Sequence, residues 1–107
     1  MKIYTRKGDD GTTGLFYGGR VKKDSLLPTA YGEVDEAQAA IGLARAHISE
    51  NSSLDKLLID VLRDLWVLMA ELATLPENRE KLEPETSLTT QEMVTKLEIA
   101  IDNYSDK

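Results

Sequence analysis

Apolar and polar positions follow two different patterns along this chain, and the change falls near residue 25. Beyond that point the apolar residues recur at helical spacing. Ala30, Val34, Ala37, Ile41, Ala44 and Ile48 are separated by 4, 3, 4, 3 and 4 residues, which is the seam of an amphipathic helix. The spacing predicts a first helix over Pro28 to Ile48. Pro28 suits its first turn, where a backbone N–H has no helical acceptor to lose. Asn51-Ser52-Ser53 then breaks the pattern and supplies an N-cap. Leu54, Leu58, Val61, Leu65, Leu68, Leu72 and Leu75 repeat at 4, 3, 4, 3, 4 and 3 residues, and Leu57, Leu62, Trp66 and Met69 widen the stripe. This predicts a second helix from Leu54 to Leu75, ended by Pro76. A helix so apolar needs partners on more than one side and is expected at the centre of a bundle, with Trp66 and Met69 in its core.

Residues 76–88 are polar and predict a mobile loop. Glu71, Glu77, Glu80, Glu83 and Glu85 read as a solvated acidic face and loop. Thr89-Thr90-Gln91-Glu92 fits a capping box and opens a third helix with Val94, Leu97, Ile101 and Tyr104 on one face. The expected fold is an all-α helix bundle preceded by an extended, Gly-rich N-terminal loop. Three helices with such faces offer more apolar surface than they can cover among themselves. That surplus calls for self-association or for further helices.

Residues 1–24 lack the helical period. Ile3-Tyr4-Thr5 is either a short strand or a segment that packs down, and Gly18-Gly19 marks a flexible point. Five of the seven glycines fall here. So do six basic and three acidic side chains, a net +3, whereas the remainder carries seven basic and sixteen acidic ones, a net −9. A basic, glycine-rich segment ahead of an acidic body fits a small anionic ligand, because glycines let the backbone approach phosphate oxygens. A flexible basic tail has the same composition.

Other features narrow the class. The overall charge of −6 argues against general nucleic-acid binding. Without cysteine there is no disulfide and no thiolate zinc site. No apolar run approaches the ~20 residues that span a bilayer, and the start has no signal-peptide core, so a cytoplasmic protein without a membrane partner is expected. The 107 residues suit one domain, with residues 1–24 as a ligand loop and 25–107 as the helical portion. His47 reads as a surface residue near a helix end. No Glu-x-x-His pair supports a di-iron bundle.

The motifs have a family likeness. Lys2-Ile3-Tyr4-Thr5-Arg6-Lys7-Gly8-Asp9-Asp10-Gly11-Thr12-Thr13-Gly14-Leu15, then Gly19-Arg20-Val21 with Lys23-Asp24, then Ala30-Tyr31-Gly32-Glu33-Val34-Asp35-Glu36 and Ala40-Ile41-Gly42-Leu43-Ala44-Arg45 follow in order. Asp64-Leu65-Trp66 and Leu97-Glu98 with Ile101-Asp102 and Tyr104 continue the match. The sequence resembles the PduO-type ATP:cob(I)alamin adenosyltransferases. The resemblance implies a five-helix bundle, three helices of which fall here, assembled as a homotrimer with active sites between subunits. It implies transfer of the 5′-deoxyadenosyl group of ATP to the cobalt of cob(I)alamin, with release of triphosphate and with Mg2+ accompanying ATP. It also assigns residues. Thr5, Arg6, Lys7 and Gly8 would wrap the phosphates, Thr13 and Gly14 would continue the cradle, and Lys23 would add a fixed positive charge. Asp35, the candidate catalytic residue, matches the family aspartate that pairs across the subunit interface with an arginine of the nucleotide site. No residue is assigned to a protein-held metal.

Three departures stand out. Lys7 replaces the usual Thr, and Gln38 stands where the family has Asn. The family's later Pro-Gly-Gly turn, arginine-rich helix and Asn-Arg-Leu-Ser-Asp segment are expected to lie outside this chain, which would be the N-terminal part of the family domain. Two functions are therefore expected in competition: an active adenosyltransferase, or a non-catalytic ATP-binding or oligomerisation module of the same family. Asp9 and Asp10 read as turn formers or as help for magnesium, and Asp35 alone reads equally as a solvated helix carboxylate.

Overall fold

A computed structural model of the chain describes residues 2–106. The first regular element is not a helix. Thr12–Gly14 (β1) and Arg20–Lys22 (β2) form an antiparallel hairpin with Thr12 opposite Lys22, Thr13 opposite Val21 and Gly14 opposite Arg20. β-branched Thr12, Thr13 and Val21 favour extended backbone, and Gly18-Gly19 turns the chain with φ of 107° and 89°. The all-α expectation therefore gives way to a mostly helical chain with a two-stranded sheet. Ile3-Tyr4-Thr5 forms no strand, and Ile3 is 99% exposed.

Helix α1 runs Leu26–Arg45 and α2 Ser53–Leu72. Pro28 falls in the first turn of α1, as the sequence requires. Ser52 caps α2 by accepting the Asp55 N–H at 3.1 Å. The helix ends at Leu72, before Pro76, and Pro76–Lys81 forms a 3-10 helix. Helix α3, Gln91–Ser105, is capped by Thr90, whose hydroxyl accepts the Met93 N–H at 3.3 Å. Met93 thus occupies the position that a capping box would give to Glu92, so the box is absent. α2 packs along α1 and touches α3 only lightly. Gln38 ties the first pair by donating its amide to Leu62 O at 2.9 Å.

Two buried or half-buried carboxylates hold the joints. Asp55 is 3% exposed. It accepts Arg45 Nε at 2.7 Å and the Asn51 N–H at 3.1 Å, locking the α1–α2 turn. Those bonds, Arg45 foremost, hold its carboxyl below the usual range. Glu71 accepts the N–H and hydroxyl of Thr89 at 3.0 and 2.7 Å and Arg79 at 3.0 Å, joining α2 to the 3-10 helix and to the start of α3. Burial pushes its carboxyl up, but the Thr89 and Arg79 bonds outweigh this and leave it lowered. Glu71 is therefore a joint and not part of a solvated face. The segment after it is structured as well: Leu82 and Ser87 are buried, and Ser87 Oγ accepts the Glu83 N–H at 2.8 Å.

The apolar core is thin. Val67 and Leu82 are the buried large hydrophobics among the described residues, while Leu43, Trp66, Ile99 and Ile101 are largely exposed. Trp66, expected in the core, is 66% exposed. The Cα radius of gyration is 16.4 Å, against about 13 Å for a compact domain of this length. The surplus of apolar surface read from the sequence is thus present in the fold. No helix among the described residues is long and apolar enough to cross a membrane.

Candidate functional site: a braced N-terminal hairpin

The hairpin is fastened to the helices at its tip. The Phe16 N–H donates to Ala73 O at 3.0 Å, Tyr17 and Ser87 share a hydroxyl–hydroxyl bond of 3.3 Å, and Gly19 lies against Leu75. Its open end, with the preceding segment 5–11, lies at the other end of the strands, where β2 runs into α1 and the Ser25 N–H donates to Lys22 O at 3.1 Å.

Side chains build the shape of that open end. Asp10 Oδ1 accepts both the hydroxyl and the N–H of Thr12, at 2.7 and 2.9 Å, and these bonds lower its pKa, with Arg20 adding to the effect. This is an Asx turn, so of the two expectations for Asp10 the turn is observed. Arg20 donates Nε to Thr12 Oγ1 at 3.1 Å and NH2 to the carbonyls of Lys7 and Thr12 at 3.0 and 3.2 Å. The Lys23 N–H donates to Gly11 O at 2.9 Å. The close approach is at Gly8: a Cβ there would stand 3.0 Å from Lys23 Nζ and 3.1 Å from Thr12 O.

The expected site residues are distributed as follows. Gly8 and Lys23 are brought together. Thr5 and Arg6 line one open hollow of about 450 Å3 with Lys2 and Tyr4. Arg6 has φ 63° and its guanidinium lies 5.4 Å from the centre of the Tyr4 ring. Lys7 gives its N–H to Thr5 Oγ1 at 3.3 Å and leaves its ammonium exposed. Lys23 lines a second hollow of about 420 Å3 with Asp10, Thr12 and Lys22. Thr13 is half-buried, and its place in the ladder turns it to the opposite face from Gly14. Gly14 borders a third, apolar cleft of about 330 Å3 lined by Phe16, Tyr31, Trp66 and Met69. Asp35 is exposed on α1, with no hydrogen bond or ion pair among the described residues. His47 is exposed just after α1, where the sequence placed it. The open end thus offers cations, hydroxyls and backbone amides.

Arg20 is the residue that sequence reasoning passed over. Its place two residues before Lys22-Lys23 reads only as more positive charge. The signal that finds it is the Gly18-Gly19 turn flanked by β-branched residues, which sets Arg20 across from Gly14 and diagonal to Thr12. Elsewhere, a groove of about 310 Å3 between α2 and α3 holds Asp60, Asp64 and Lys96. Burial raises the Asp64 pKa there, Lys96 opposes the rise, and Asp60 adds to it.

The chain is 39% identical to a corrinoid adenosyltransferase of Bacillus subtilis over 109 residues, 98% of this chain and 52% of that protein. It is 42% identical over 103 residues to the corrinoid adenosyltransferase PduO of Salmonella typhimurium, 95% of this chain and 29% of that one. A solved F112H variant of a PduO-type ATP:corrinoid adenosyltransferase from Lactobacillus reuteri, complexed with cobalamin and ATP, superposes with a TM-score of 0.82 at 30% identity. That match covers 98% of this chain and 55% of the other. The chain spans about half or less of the length of these relatives. The model of the cobalamin adenosyltransferase family matches residues 3–107, and the chain belongs to that family.

Proposed function

We propose that this chain takes part in transfer of the 5′-deoxyadenosyl group of ATP to the cobalt of cob(I)alamin, and that the open end of the hairpin holds the triphosphate. The observation that carries this reading is the Lys23 ammonium set against Gly8, at the end of a loop that exposes amides and hydroxyls. Reduced cobalt is itself the nucleophile in such a reaction, so the protein has to place C5′ in line with it and stabilise the leaving triphosphate. The Co–C5′ bond forms as the C5′–O bond breaks, and the electron pair leaves on the triphosphate. Thr5, Arg6, Lys7, Gly8, Thr13, Gly14 and Lys23 are assigned to the phosphate side. Among the described residues no trio of His, Cys, Asp or Glu is placed to hold a metal ion, so Mg2+ is assigned to the nucleotide as part of the substrate.

Asp35 is assigned to an ion pair with an arginine of a neighbouring subunit. Its exposure and its lack of an internal partner support this. The open apolar faces of α2 and α3 support burial of these helices in a larger bundle, a five-helix domain in a cytoplasmic homotrimer. The test is the cobalamin spectrum with ATP, Mg2+ and a reductant. The expected result is conversion to adenosylcobalamin with stoichiometric triphosphate. Absence of conversion at every protein concentration would rule out catalysis by this chain alone and leave a binding module.

A further inference from the structure

We propose that Arg20 is a positioning residue, which aims the Gly8 N–H outward beside the Lys23 ammonium so that the two form one phosphate-oxygen site. The inference rests on the phosphate-cradle reading above and names the residue that shapes that cradle. A trans peptide unit is planar, and its C=O and the following N–H point in opposite directions. Arg20 NH2 holds the Lys7 carbonyl at 3.0 Å against the hairpin. The Gly8 N–H, on the far side of the same peptide, is thereby turned away from the hairpin, and it donates to no acceptor among the described residues. Lys23 Nζ stands 3.0 Å from the position that a Gly8 Cβ would take, which brings the ammonium to the residue that carries the free amide. A cation and an outward N–H are both donors suited to an anionic oxygen.

The brace is itself fixed. Arg20 Nε donates to Thr12 Oγ1, so the hydroxyl proton of Thr12 is directed to Asp10 Oδ1, 2.7 Å away. NH2 takes the Thr12 carbonyl as a second acceptor at 3.2 Å. One planar guanidinium therefore ties Lys7, Thr12 and, through Thr12, Asp10 into one shape. A lysine at position 20 would keep the charge but lacks the fork that reaches these acceptors together. The Asp10 carboxylate, bonded to the same Thr12, offsets part of Arg20's positive charge.

The experiment is calorimetric titration of the whole chain with inorganic tripolyphosphate, for the parent, Lys23→Ala, Arg20→Ala and Arg20→Lys, with helix content checked by circular dichroism. The expected result is that Arg20→Ala and Arg20→Lys each bind roughly tenfold or more weakly than the parent, at unchanged helix content. Parent-like affinity in Arg20→Lys would overturn the positioning role, since charge alone would then suffice. Parent-like affinity in Arg20→Ala would do the same. If instead Lys23→Ala binds like the parent, or the parent binds no tripolyphosphate, the cradle itself fails and the role of Arg20 fails with it.

Discussion

None of residues 7–23 is fully buried, yet hydrogen bonds accepted by Asp10 and donated by Arg20 and Lys23 fix the path of that segment. The helices from Leu26 to Ser105 show the reverse: long apolar seams specify them, and much of that apolar surface stays exposed. The hairpin is shaped before anything binds it, through short polar contacts that cost little to solvate. The helical portion is shaped by a driving force only part of which is satisfied within the chain. A change in the first region should therefore alter ligand binding at nearly constant stability. A change in the second should alter stability or assembly and leave the ligand loop alone. The tip of the hairpin, residues 16–19, is where the two meet.

The same substitution, glycine to alanine, gives the sharpest contrast. Gly19 has φ 89°, and a Cβ there would run into the Leu75 side chain. Gly19→Ala should destabilise by about 1–2 kcal/mol and loosen the tip, measured by thermal unfolding and by faster amide exchange at Phe16. Gly42 lies in α1 with open space around its Cβ position. Gly42→Ala should stabilise by about 0.5–1 kcal/mol. A loss of stability there would show instead that this face of α1, which carries Asp35 one heptad earlier, is packed against a neighbouring subunit in solution.

The joints give an effect of similar or smaller size with a definite pH sign. Glu71 has a folded pKa below its ordinary 4.5, and Asp55 one below its ordinary 3.8. Each contributes stability that is present above those ordinary values and lost as pH falls through the lowered folded ones. Glu71→Gln should cost about 1 kcal/mol near neutrality and flatten the acid limb of the stability curve below pH 4.5. An unchanged acid limb would remove Glu71 from its place as the joint between α2 and α3.

The sequence conveys these regions unequally, for physical reasons. Seams of six and seven residues in a heptad spacing announce α1 and α2, and Ser52 and Thr90 mark where α2 and α3 begin. The strands are three residues each, too short for a period of two to stand out, so the hairpin was hidden within an apparent loop. Asp55, Glu71 and Ser87 look like ordinary surface polar residues. Their burial depends on contacts with Arg45, Thr89 and Tyr17, and in Ser87's case the partner lies 70 positions away. At the site, the residue types were readable as phosphate chemistry. The pairing of Gly8 with Lys23 and the brace from Arg20 were not, because both arise only when the chain folds back at Gly18-Gly19.

The central claim, that the open end of the hairpin is the anion site, is tested most directly by following the backbone amides of the whole chain by NMR during titration with tripolyphosphate. Saturable shifts should concentrate at Gly8 and its neighbours in residues 5–14 and 20–23, with Leu97 and Ile101 of α3 unmoved. Shifts confined to the apolar cleft around Tyr31 and Trp66, or no saturable shift at Gly8, would contradict it.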